Sequence, residues 1–294
     1  MTSSLRDSER PRAGGTPAWE TPASGAAPFI PDGLDAILVL LRHGQTQFIV
    51  EKRFQGAMEA PLTGLGERQA QLAGVRLAHP AASPALPIPD TAPFAVVHSP
   101  LGRARRTAEL VAAEMASAGR AAPPLRADAG FLEIAQGGWE GLTDEEIQAR
   151  FGDSLAAWRR WPERFHAPDG ESLEQVRARV ESSLRILLGE MAQGSPRGTL
   201  DRHQVLGYED HVHAAPRWAL VVGHGGVFRV VVCALLGLPP EHFWNFDFGL
   251  AAITVVEIRA GRAVLRALNL DGHLDPEKGA AADATASRTR SGAL

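Results

Sequence analysis

The sequence predicts an α/β fold: a three-layer α/β/α sandwich with a mostly parallel sheet and helices on both faces. Three observations carry this reading. Apolar runs recur at Ile37-Leu38-Val39-Leu40-Leu41, Phe94-Ala95-Val96-Val97 and Trp218-Ala219-Leu220-Val221-Val222. Unbroken runs of this kind read as strands buried on both faces, the pattern of a parallel sheet. The second and third runs pass directly into helix starts, and between the runs strand-like and helix-like segments alternate.

The first strand ends in Arg42-His43-Gly44-Gln45-Thr46. Open parallel sheets bind ligands beyond the carboxyl ends of their strands, so a cation and an imidazole there suggest an anion site. Taken alone, the string is equally an ordinary turn. A helix is expected over 65–77. The second strand ends in His98-Ser99-Pro100, where Ser99 suits an N-cap and Pro100 the first helical position. Arg103 then falls in the first turn and leans back toward the strand end. Further on, Thr143-Asp144-Glu145-Glu146 has capping-box spacing before Ile147, with Gly152 near the expected stop. The clearest helix covers 172–190: Leu173, Val176, Val180, Leu184 and Leu187 trace one apolar face, and Gln175 lies three residues after Ser172. The third strand delivers Gly223-His224-Gly225-Gly226 before a helix over 227–236. Its glycines let backbone N–H groups approach a ligand, and the helix start favours negative charge. Segments 252–258 and 262–268, joined by Ala260-Gly261, form a hairpin that closes the sheet edge. Three strand ends thus bring Arg42, His43, Arg103 and His224 to one sheet edge.

Composition bounds the rest. Of 294 residues, 36–274 form one domain with a sizeable core. Residues 1–35 are rich in Pro, Gly, Ala, Ser and charge and read as a disordered tail, with no apolar segment of the kind a secretory signal needs. Residues 275–294 read the same way. No run is long and apolar enough to cross a membrane, so a cytoplasmic protein is the default expectation. A net charge of −4 gives no pull toward nucleic acid. Segment 193–217 is a polar insertion holding His203, His211 and His213. His211 and His213 could share one side of an extended segment, but no further ligand set accompanies them, so no metal is expected. The single cysteine, Cys233, reads as core filler. Oligomeric state is not legible.

Five strings occur in a familiar order over residues 36 to 270. They are Leu41-Arg42-His43-Gly44-Gln45-Thr46; Pro61-Leu62-Thr63-Gly64-Leu65-Gly66 with Gln69-Ala70; Leu101-Gly102-Arg103-Ala104-Arg105-Arg106-Thr107-Ala108; Leu132-Glu133-Ile134 with Gly138-Trp139-Glu140-Gly141; and Gly223-His224-Gly225-Gly226. In these the chain resembles the histidine phosphatase superfamily, the phosphoglycerate-mutase-like proteins, and within it the phosphatase branch. The resemblance implies a small helical cap from 136–170, the segment that also carries Trp139, Trp158, Trp161 and His166. It implies catalytic roles for His43 as the nucleophile that becomes a phosphohistidine, for Glu133 as the proton donor, and for His224 beside them. Arg42 and Arg103 would grip the phosphoryl oxygens, with Gln55, Gly56 and Gly225 lining the phosphate. No metal or cofactor is implied, and the partner is a small-molecule phosphate ester. One residue departs from the pattern: Ile49 stands where the family often has an asparagine, and Gln55 or backbone donors would substitute. A mutase typically carries an Asn-Glu-Arg-His-Tyr-Gly string at the acid motif, which this chain lacks; phosphoglycerate mutase is the enzymatic alternative. An inactive phosphate-binding module would have lost a histidine or the acid, and all three are present.

Overall fold

The computed structural model describes residues 29–120, 123–193 and 215–275. Most of both expected tails, and the histidines His203, His211 and His213, lie outside the described residues. Six strands form one sheet: β1 (Ala36–Arg42), β2 (Ala95–His98), β3 (Leu125–Ala127), β4 (Arg217–Gly223), β5 (Ile253–Arg259) and β6 (Arg262–Leu270), in the order β3-β2-β4-β1-β5-β6. The first four run parallel, whereas β5 is antiparallel to β1 and β6 antiparallel to β5. The expected hairpin is therefore present; β5 pairs directly with β1, and β6 takes the outer edge.

Alternation along β1 divides the core in two. Ile37, Val39 and Leu41 join a cluster with α2 (Gly64–Ala78) and α3 (Gly102–Ser117), while Leu38 and Leu40 join one with α6 (Leu173–Ala192) and α7 (Gly225–Leu235). Successive strand residues point to opposite faces, so an unbroken apolar run requires a helical layer on each side. Truncating a fully buried leucine such as Leu38 to alanine costs about 2–5 kcal/mol. The short helices α4 (Asp144–Phe151) and α5 (Asp153–Arg160) make the cap. Its tryptophans are core, as aromatics usually are: Trp158 packs edge-on against Trp139 at 5.8 Å and Trp244 at 4.9 Å. Trp161 alone of the cap tryptophans stays 41 % exposed.

Both expected capping boxes form, Thr143 with Glu146 and Ser172 with Gln175, and Gly152 ends α4 at a φ of 47°. The strand β3 has no counterpart in the sequence reading, because three residues centred on Arg126 leave no apolar run. The start of α3 also differs. Its N-cap is Leu101; the Ser99 hydroxyl accepts from the Leu101 N–H at 3.4 Å, and the Glu59 carboxylate accepts from the Gly102 N–H at 2.9 and 3.1 Å. Finally, the folded chain begins before residue 36. Phe29 and Ile30 pack against the core, Leu34 is buried, and Asp35 accepts from the Ala260 N–H at 2.7 Å. Among the described residues no helix is long and apolar enough to cross a membrane.

Candidate active site

Register places the site. Arg42 pairs with Gly223 at the ends of β1 and β4, so the residues that follow, His43 and His224, emerge together with ring centroids 5.1 Å apart. Strand β2 contributes Ser99 just beyond its end, and the first turn of α3 contributes Arg103. The four residues that the strand ends were expected to assemble are therefore at one sheet edge. Both histidines, Arg103 and Glu133 are buried.

The hydrogen bonds fix both imidazole tautomers. Nδ1 of His43 lies 2.7 Å from the Gly44 carbonyl, which can only accept, so Nδ1 carries a proton and, in the neutral ring, Nε2 the lone pair. Nδ1 of His224 lies 3.2 Å from Nε of Arg103, which can only donate. The proton of His224 is therefore on Nε2, which donates to the Ser99 hydroxyl at 2.8 Å. Burial, and then the neighbouring positive charge, Arg103 first, hold the His224 pKa well below its ordinary value, consistent with this neutral form.

Two cations flank the histidines, Arg103 buried and Arg42 partly buried. Arg42 donates through Nη1 to the Phe248 carbonyl at 2.6 Å, and its Nε–H is buried with no acceptor among the described residues. Such an orphaned donor is costly unless a ligand satisfies it. Arg103 donates to the carbonyls of Met58 and Gly56, both at 2.7 Å, as well as to His224. These three bonds leave two of a guanidinium's five N–H groups for an oxyanion. Burial lowers the Arg103 pKa to about 10, offset in part by Glu133, so the group remains a cation at neutral pH.

Glu133 stands at the amino end of α7. Its Oε1 accepts from the N–H groups of Ile134 and Val227, both at 2.9 Å, and Oε2 from Gly226 at 3.1 Å. The helix start that was expected to face a ligand's negative charge thus faces this carboxyl instead. Gly225 contributes space: a Cβ there would lie 3.2 Å from the Arg42 guanidinium carbon.

Segment 55–59 is a strap over α3. Gln55 accepts from the Thr46 hydroxyl at 2.8 Å, and the buried Ile49 donates its N–H to the same hydroxyl at 3.3 Å. Gly56, at a φ of 50°, presents its carbonyl to Arg103. Glu140 ties the strap to the acid loop, Oε1 accepting from Ala57 and Gln136 N–H groups at 2.8 Å each. Sequence reasoning missed Glu59, and also the contact of Ser99 with His224, because the partners lie 43 and 125 residues apart. His166 donates to the Ala167 carbonyl, and burial raises the Cys233 thiol to about 11, which keeps it protonated. Among the described residues no three His, Cys, Asp or Glu side chains cluster as a metal site would require.

A family model described as histidine phosphatase superfamily (branch 1) matches residues 38–271. A glucosyl-3-phosphoglycerate phosphatase from Mycolicibacterium vanbaalenii is 31 % identical over 225 residues, covering 75 % of this chain and 83 % of the relative. A 2,3-bisphosphoglycerate-dependent phosphoglycerate mutase from Azorhizobium caulinodans is 30 % identical over 235 residues, covering 79 % and 96 %. Among solved structures, a mycobacterial glucosyl-3-phosphoglycerate phosphatase in complex with VO3 superposes with a TM-score of 0.60 at 28 % identity, covering 80 % of this chain and 98 % of that one.

Proposed function

The chain belongs to branch 1 of the histidine phosphatase superfamily, and from that premise we propose that it is a metal-independent phosphomonoesterase acting on a small phosphorylated metabolite through a phosphohistidine at His43. The observation that carries the proposal is the His43 tautomer. With Nδ1–H held by the Gly44 carbonyl, the lone pair of Nε2 is directed to the sheet edge where Arg42 and Arg103 supply positive charge. In the first step the Nε2–P bond forms as the ester P–O bond breaks, and Glu133 gives its proton to the departing oxygen. Oε2 of Glu133 accepts one backbone N–H and so has room for that proton. In the second step the Glu133 carboxylate takes a proton from water, whose oxygen attacks phosphorus and releases phosphate and neutral His43. Fixed arginines stabilise the transferring group where charge develops, the task that magnesium performs in other phosphoryl-transfer enzymes.

Both a phosphatase and a mutase stand at about the same identity to this chain, so phosphoryl transfer between phosphoglycerates is the second reading. The acid motif Leu132-Glu133-Ile134 with Gly138-Trp139-Glu140-Gly141 favours hydrolysis. The test is a rapid quench with labelled aryl phosphate in excess chelator. Hydrolysis should persist, and an acid-labile, base-stable label should appear on the peptide containing His43 and vanish in His43→Ala. Activity that stops on chelation and returns with a divalent ion would overturn the metal-free mechanism, and label on His224 would overturn the nucleophile. Phosphate retention on a bisphosphate-primed acceptor, without release, would favour the mutase.

A further inference from the structure

Arg179, on α6, spends all five of its N–H donors inside the protein. Nη1 donates to the carbonyls of Gly130 and Leu132 at 2.9 Å each, Nη2 to the Glu133 carbonyl at 3.2 Å and to Glu171 Oε2 at 2.9 Å, and Nε to Glu171 Oε1 at 2.9 Å. Glu171 in turn grips the other side of the same loop. Its Oε2 accepts from the Ala135 N–H at 2.9 Å and its own N–H donates to the Ala135 carbonyl at 2.8 Å. One ion pair therefore brackets Glu133 from residue 130 to residue 135. No donor of Arg179 remains for a phosphate, so substrate binding does not explain it.

We propose that Arg179 and Glu171 are a positioning pair that sets the Glu133 carboxyl against the leaving-group oxygen. This rests on the reading of Glu133 as proton donor. A carbonyl held by a guanidinium fixes the peptide plane beside it; of the three planes so held, those of the Leu132 and Glu133 carbonyls flank the Glu133 Cα, and the third lies upstream at Gly130. Only arginine can do this, since lysine offers three donors from one point and no planar fork. The bidentate pair is also the strong form of ion pair, and the Arg179 side chain is only 20 % exposed, so solvent screens it little. The same charge reaches His224, where it opposes protonation.

A displaced acid has a signature that a loosened fold lacks: an alkoxide needs the proton, a nitrophenolate hardly does. The experiment measures the first-step rate by single-turnover quench with an alkyl phosphate and with nitrophenyl phosphate. Arg179→Lys should slow the alkyl phosphate by as much as about 10²-fold, leave nitrophenyl phosphate within about threefold, and leave KM for both little changed, because a misplacement near 1 Å is enough to cost that much. Glu171→Gln should give the same pattern and stands in should Arg179→Lys fail to fold. On a Glu133→Gln background neither substitution should add a further discrimination. Arg126→Lys, in a pair with Glu190 that touches no part of the loop, should change nothing. Equal slowing of both substrates by Arg179→Lys and Glu171→Gln, or wild-type behaviour beside a discriminating Glu133→Gln, would overturn the pair alone. Equal slowing by Glu133→Gln itself would overturn the acid assignment beneath it.

Discussion

The edge that carries His43 and the loop that carries Glu133 meet in one site but are held by different balances of backbone and side chain. At the edge backbone holds the histidine itself: the His43 N–H donates to the Gly223 carbonyl at 2.9 Å, and its carbonyl accepts from Ala251 at 3.2 Å, while Thr107 and Gln69 take the N–H groups of Gly44 and Gln45. Gly44 and Gly66 touch so closely that a Cβ on Gly44 would lie 2.2 Å from the Gly66 oxygen, and one on Gly66 2.0 Å from the Gln45 oxygen. The acid loop is held chiefly by side chains. Asp128, Glu140, Glu171 and Arg179 all bond to its N–H or carbonyl groups. A backbone-built region yields to added atoms and a side-chain-built region to removed ones. The position of His43 therefore depends more on the fold, and that of Glu133 more on a few substitutable groups.

The largest test of this contrast is at the edge. Arg103→Ala should lose about 10³-fold or more in rate, the scale set by transition-state arginines, and Arg103→Lys should recover part of it. Arg106→Ala should stay near wild type, since Arg106 is exposed and pairs with Glu67 at 2.8 Å. Equal losses in steady-state kinetics would mean that the edge does not single out Arg103. Next in size, Gly66→Ala adds an atom where only backbone fits. It should cost at least about 1–3 kcal/mol in a denaturant titration, the usual price of overpacking. An unchanged midpoint would show that side chains, not backbone, set the edge. The smallest effect is with pH. The folded protein holds His224 unprotonated where the unfolded chain would already take up a proton, so this group's contribution is complete above the ordinary histidine value of 6.5 and is lost as pH falls below it. Melting temperatures from pH 8 down to pH 5 should therefore fall more steeply in wild type than in His224→Gln. Parallel profiles would place the charged form of His224 in the folded site.

The edge was legible because everything that makes it is local. Apolar runs mark β1, β2 and β4, and the histidines and Arg103 lie within a turn of their ends. The acid itself was legible from its motif, but its surroundings were not. Glu133 reaches Gly226 and Val227 across 93 and 94 residues, and Arg179 reaches Leu132 across 47. Pairings of that span leave no periodicity in the chain. Ser99 shows the converse error. Its position before proline is a sound N-cap signal, yet the helix starts two residues later: the hydroxyl is shared between the Leu101 N–H and the buried His224 imidazole, and Glu59 takes the Gly102 N–H. The three-residue β3 was too short for a pattern to establish itself, and α5, which starts from Gly152 with no side-chain cap, lacks the signal that marks the equally short α4.

The sheet order has a consequence in time. Strand β1 is apolar on both faces, and both of its neighbours, β4 and β5, come from the C-terminal part of the chain. Arg42 leaves the ribosome 206 residues before the Phe248 carbonyl that holds it, roughly 10–40 s at ordinary rates of synthesis. Until β4 is made, β1 has neither of the strands it pairs with, the state most open to pairing with another chain. The nascent protein carries His43 long before the partners that surround it, His224 among them, have been made.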